Sequence, residues 1–123
     1  MLDDKQFIKD SLRTESNNFN IDGVCPRVLH AAIGLSTEVG ELLDPIKKTI
    51  FYNKPLDVTN IKEESGDLLW YLAILYDAIG TDFETESTRV INKLKARFPE
   101  KYTDECAEYR DLELERDILE VEL

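Results

Sequence analysis

The chain is poor in the residues that punctuate β structure, with five glycines and four prolines among 123 residues. That is too few to turn the many short strands of a sandwich or barrel. Its two cysteines, Cys25 and Cys106, form no metal-binding or redox spacing and read as reduced thiols. His30 is the only histidine, and no HExxH, GxSxG or glycine-rich phosphate loop is present. Zinc-protease, serine-nucleophile and P-loop chemistries therefore have no candidate residues. The longest apolar run covers residues 68–76, well short of the ~20 residues that span a bilayer. Met1, Leu2, Asp3 and Asp4 place acids where a signal peptide needs bases, so the expected location is the cytoplasm. Positive charge is in the minority, 15 Lys and Arg against 26 Asp and Glu, for a net charge of −11. Such a surface repels a nucleic-acid backbone and argues against a DNA- or RNA-binding module. A small anionic substrate remains reachable if a cation stands between the two.

Apolar residues make up 42% of the chain and charged residues 33%, the balance of a folded, charge-rich domain. Residues 3–17 read as a short helix and residues 18–25 as a loop. From Pro26, suited to a first helical turn, Val28, Ala32, Leu35, Val39, Leu42, Leu43 and Ile46 recur at helical spacing to about Tyr52. Pro45 is expected to kink or interrupt that helix. Asn60 and Glu63 have capping-box spacing and predict the start of a third helix, which Gly80 would end. Thr81 and Glu84 predict a fourth helix, ending near Pro99, and Thr103 a fifth. The expected architecture is an all-α bundle of four to five helices over residues 1–103, followed by a distinct tail. Residues 104–123 hold nine acids and two arginines. The tail reads either as a solvated amphipathic helix that packs Leu112, Leu119 and Leu123, or as an arm that binds a partner or clasps a second subunit.

Four acids stand out by position. Glu38 and Glu41 lie three apart on the second helix, Glu64 and Asp67 three apart on the third, and such pairs share a helix face. With 26 acids, about five pairs of this spacing are expected by chance, so spacing alone decides nothing. Placement says more. Glu64 falls on the apolar stripe of Ile61, Leu68, Leu72, Leu75 and Ile79, and Asp67 shares a side with Tyr71. Burying a carboxylate without compensation is costly, so a cation should meet the pair. If the two helices pack antiparallel, both acid pairs converge, and hard oxygen ligands of this kind select Mg²⁺ or Mn²⁺. Ordinary surface ion pairs to Lys47, Lys48, Lys93 and Arg97 are the alternative. Asp44 could add a fifth acid.

Lys93 and Arg97 run along one edge of the fourth helix, where a compact charge and a fork suit a phosphate chain, or where two surface bases simply lie along apolar neighbours. Lys54, Lys47 and Lys48 are further phosphate-binding candidates. His30 and Tyr71 are possible substrate contacts, with core packing as the alternative. Trp70 faces away from the acids and suits subunit packing.

The segments His30-Ala-Ala-Ile-Gly-Leu-Ser-Thr-Glu-Val-Gly-Glu-Leu-Leu43, Lys47-Lys48, Phe51-Tyr52-Asn-Lys54-Pro-Leu-Asp57, Glu63-Glu64-Ser-Gly-Asp67-Leu-Leu-Trp-Tyr71 and Lys93-Leu-Lys-Ala-Arg97-Phe-Pro99 together resemble the MazG-like branch of the all-α nucleoside triphosphate pyrophosphohydrolases. The resemblance covers about residues 25–100. It implies a helical bundle assembled as a dimer or tetramer. It implies Mg²⁺-dependent cleavage of a nucleoside triphosphate to a monophosphate and pyrophosphate, with Mn²⁺ as a possible substitute. By position, Glu38, Glu41, Glu64 and Asp67 would hold metal, Glu38 or Glu41 would act on the attacking water, and Lys93 and Arg97 would bind phosphates. Glu63 is a weaker candidate beside the second pair. A non-enzymatic interaction module that works through the acidic tail, and an enzyme like the phosphoribosyl-ATP pyrophosphohydrolases, are the alternatives.

Overall fold

The computed structural model describes residues 3–123; Met1 and Leu2, part of the N-terminal stretch read above, lie outside the described residues. Among those residues there is no strand. The helices are α1 Asp4–Ser11, α2 Pro26–Tyr52, α3 Val58–Ile79, α4 Phe83–Arg97, α5 Asp104–Glu108 and α6 Leu112–Glu120. The chain is all-α as expected, with one helix more than the upper count because the tail folds as two. The first helix is shorter than residues 3–17: it stops at Ser11 and passes into a 3-10 turn, Leu12–Thr14.

The helix starts correct two readings. Helix α3 is capped by Asp57, whose carboxylate accepts from the Asn60 amide at 3.0 Å, so Asn60 and Glu63 lie inside the helix. Helix α4 is capped by Asp82, which accepts from the Thr85 amide at 2.7 Å, rather than by Thr81. In both cases an aspartate side chain accepts from a free amide of the first turn, at the positive helix end. Thr103 caps α5 as expected, accepting from the Cys106 amide at 3.0 Å. Gly80 ends α3 in the left-handed region, at φ 78°.

Pro45 does not interrupt α2, which runs unbroken from Pro26 to Tyr52. The missing N–H of proline normally costs about 3 kcal/mol within a helix. Here the ring is buried, and the Thr49 hydroxyl donates to the Pro45 carbonyl at 3.1 Å. Long helical arms on either side and packing of the ring hold the helix through the defect.

Two helix pairs carry most of the tertiary contact: α2 with α3, and α4 with α6. Helices α2 and α3 are antiparallel. Arg27 at the start of α2 forms an ion pair with Asp77 near the end of α3, and Gly34 meets Tyr71 further along. Helix α6 runs back along α4, with Arg89 donating to the Leu119 carbonyl at 2.9 Å and Arg97 bound to Glu115 at 2.7 Å.

The interior is thin. Among the described residues the buried apolar ones are few, Ala31 and Pro45 on α2, while Trp70, Phe51, Ile50, Leu43 and Ile91 are exposed. The accessible surface is 10362 Å². A compact monomer of this mass exposes only about 6,800 Å². Apolar stripes on α2, α3 and α4 are therefore not consumed within one chain.

Candidate metal centre

Antiparallel packing gives the hairpin a simple register. Position 27 lies opposite 77 and 34 opposite 71, so 38 comes opposite the turn that carries 64 and 67. The carboxylates of Glu38, Glu64 and Asp67 accordingly offer oxygen atoms that all lie within 4.8 Å of one another. Glu64 is buried, at 8% exposure, while Glu38 and Asp67 are half-buried. The Asn60 side-chain amide donates to Glu64 at 3.3 Å and steadies it from one turn away. A hydrogen bond to Glu38 is the main reason the Glu64 carboxyl sits above its ordinary pKa. Burial adds to this, as does repulsion from Glu38, Asp67 and Glu63. This is a cluster of negative charge with no cationic side chain hydrogen-bonded within it. Three hard oxygens at this separation, one of them held in place from behind, form a donor set that a divalent cation fits.

Glu41 stands apart from the three. It is exposed and lines a neighbouring recess of about 340 Å³ with Asp44, Pro45, Lys48, Lys54, Pro55, Asp57 and Asn60. The four acids thus divide into three gathered carboxylates and one on the rim of the recess. Lys54 is in that recess. Lys48 is there too, paired with Asp44 at 2.7 Å, and that contact raises its pKa. Asp44 is therefore the partner of a lysine rather than a member of the cluster.

Tyr71 is half-buried in the α2–α3 crossing, its ring against Gly34 and edge-on to exposed His30 with centroids 6.1 Å apart. Trp70 is 70% exposed and borders an apolar hollow with Gly66, Leu69, Ala73 and Phe83. Lys93 is half-buried on α4. Arg97 is engaged elsewhere. Its guanidinium binds Glu115, which also takes Arg110 at 3.0 Å. Glu115 is only 4% exposed, and these two arginines hold its carboxyl below the ordinary range against the opposing effect of burial. No hydrogen bond or ion pair joins Lys93 or Arg97 to the three gathered acids among the described residues. Sequence reasoning missed the Glu115 clasp. The signal available was slight: one acid among nine in the tail, with its first arginine eighteen residues away.

The structure is thus an all-α hairpin that gathers carboxylates from both arms beside a recess lined by lysines. A family model described as the MazG nucleotide pyrophosphohydrolase domain matches residues 28–102, more than half of the chain, and the chain belongs to that family. No curated protein and no solved structure matches it. The matched segment takes in α2, α3 and α4 and ends before α5, so the clasped tail lies beyond it.

Proposed function

We propose that the protein is a Mg²⁺-dependent nucleoside triphosphate pyrophosphohydrolase that converts a ribo- or deoxyribonucleoside triphosphate to its monophosphate and pyrophosphate, in control or cleaning of the nucleotide pool. The observation that carries this reading is the convergence of Glu38, Glu64 and Asp67 in a chain of the MazG family. Glu38, Glu64 and Asp67 would hold the metal, with Glu41 as the fourth carboxylate from the rim of the recess. When bound, Mg²⁺ supplies charge neutralisation of the phosphates and a more acidic water, and Mn²⁺ can stand in for it.

The chain's own groups then divide the work. Glu38 or Glu41 accepts the proton of a water that attacks phosphorus in line, and the α–β anhydride bond breaks with its electron pair leaving on pyrophosphate. Lys54 faces the recess beside Glu41 and would bind the departing phosphates, with Lys93 as the base available on α4. Arg97 would serve there only on exchanging Glu115 for phosphate. His30 and Tyr71 border the crossing one to two turns from the acids and are the candidates to touch the nucleoside.

The working form would be a homodimer or homotetramer. An excess of about 3,500 Å² over a compact monomer is the scale of an obligate interface, and the exposed Trp70 hollow is one place to bury it. Residues 1–103 would form the catalytic domain and residues 104–123 an appendage that packs on α4 and supports the interface. The proposed compartment is the cytoplasm; no helix among the described residues is long and apolar enough to cross a membrane.

The test is product analysis across the eight common nucleoside triphosphates with Mg²⁺, with Mn²⁺ and with EDTA. Pyrophosphate and monophosphate are the expected products, and EDTA should stop their release. Orthophosphate release, or turnover that survives EDTA, would overturn the reading.

A further inference from the structure

Helices α2 and α3 approach each other closely at Gly34 and Tyr71, one helical turn from the gathered acids. Gly34 is buried, four residues before Glu38 on α2. Tyr71 is four residues after Asp67 on α3. A Cβ built on Gly34 would fall 2.3 Å from Tyr71 Cδ1, 2.3 Å from Cε1 and 2.6 Å from Cζ. The atoms met are those of a ring, not the tip of a flexible chain. His30, one turn before Gly34 on the same helix, lies edge-on to the ring with centroids 6.1 Å apart, and Ala31, three residues before Gly34, is fully buried. An added methyl therefore has to move the ring, and with it the spacing of the two helices. The other glycines of the hairpin, Gly40 and Gly66, have nothing within 4 Å of such a Cβ. Of the three glycines within α2 and α3, only Gly34 lacks room for a side chain.

We infer that Gly34 is a positioning residue for metal binding. By admitting the Tyr71 ring against the α2 backbone, it sets the helix separation at which Glu38 reaches Glu64 and Asp67. The inference rests on the proposed metal centre and deepens it. Its chemical content is a spacing: relieving a 2.3 Å contact takes a shift on the order of 1 Å at the crossing, which two stiff helices transmit to carboxylates one turn away. On this view Tyr71 acts through its ring, so its hydroxyl is dispensable for metal affinity.

The experiment is a Mn²⁺ titration of the full chain by electron paramagnetic resonance, with circular dichroism alongside to report folding. Four proteins are compared: wild type, Gly34→Ala, Tyr71→Phe and the double variant Gly34→Ala/Tyr71→Ala. Gly34→Ala should weaken Mn²⁺ binding about tenfold or more while keeping its helical signal, the scale seen when support for metal ligands is disturbed. Tyr71→Phe should bind as wild type. The double variant, with the colliding ring removed, should recover to within about threefold of wild type. If Gly34→Ala does not fold, the double variant decides: recovery supports the spacing role, and a folded double variant without metal affinity overturns it. Unchanged affinity in folded Gly34→Ala also overturns it and leaves the metal centre standing. A wild type that binds no Mn²⁺ overturns the metal centre, and this inference with it.

Discussion

The protein buries two glutamates, and their company is opposite. Glu64 in the α2–α3 hairpin lies beside Glu38 and Asp67, and its pKa is raised. Glu115 on α6 lies between Arg97 and Arg110, and its pKa is lowered. Both carboxylates are withdrawn from water, but only one has its countercharge supplied by the chain. A buried acid already paired with arginine has its partner and needs no ligand. A buried acid among acids has to keep a proton or take up a cation. On the proposed function, the contrast makes α2–α3 the chemical half of the molecule and α4–α6 the half that holds itself together.

The largest test of this contrast is to remove one charge from each half. Glu64→Gln should lower pyrophosphate release by about a hundredfold or more, since it removes an oxygen donor for the charge that supports the reaction. Glu115→Gln should leave most of the turnover intact and instead lower the melting temperature and speed proteolysis between α5 and α6, because Arg97 and Arg110 lose their shared partner. Equal effects of the two substitutions on turnover would erase the distinction.

Next in size is assembly. Trp70→Glu places a charge in the exposed apolar hollow of α3 and should shift the protein from oligomer toward monomer in light scattering. An unchanged mass would show that the interface lies elsewhere. Metal should matter only to the hairpin: saturating Mg²⁺ should raise the melting temperature of wild type by about 5 °C, and that of Glu64→Gln by much less. An equal rise in both would contradict the placement of the metal.

The smallest effect, and the sharpest in sign, is with pH. Glu64 has a raised folded pKa, so its protonated form is favoured by folding. Without metal, its contribution to stability is greatest below the ordinary value of 4.5 and declines as pH rises through the raised value. Metal binding needs the ionised form and so weakens as pH falls through that same raised value. Glu115 has a lowered folded pKa. Its contribution is complete above 4.5 and is lost as pH falls through the lowered value. On acidification, Mn²⁺ should leave first and the tail should loosen later, at lower pH. The reverse order, read by metal resonance and by proteolysis of the tail, would break the assignment.

Much of the hairpin was legible in the sequence because its signals are local and periodic. The 3.6-residue recurrence places α2 over Pro26–Tyr52, and the three-residue spacing singles out four acids, of which Glu38, Glu64 and Asp67 meet and Glu41 does not. The helix starts at Asp57 and Asp82 were misplaced because several cap-forming residues compete within a few positions and packing selects among them. Pro45 suggests a kink or an interruption because the cost of its missing N–H is local, whereas the compensation that keeps α2 continuous comes from the whole helix. The family resemblance, not spacing from Lys93, points Arg97 to phosphate. Its actual partner, Glu115, comes from a segment whose docking no periodicity encodes. The separation of Glu41 from the other three acids likewise depends on the interhelical register, which is set by contacts such as Gly34 against Tyr71.

The most direct test of the division between the two halves is pyrophosphate release from a nucleoside triphosphate at saturating Mg²⁺, measured side by side for wild type, Glu64→Gln and Glu115→Gln, each with and without EDTA. Release that disappears with EDTA and with Glu64→Gln, but persists in Glu115→Gln, is the expected result. Release that persists in Glu64→Gln, or that is indifferent to EDTA, would contradict a metal-centred reaction in the α2–α3 hairpin.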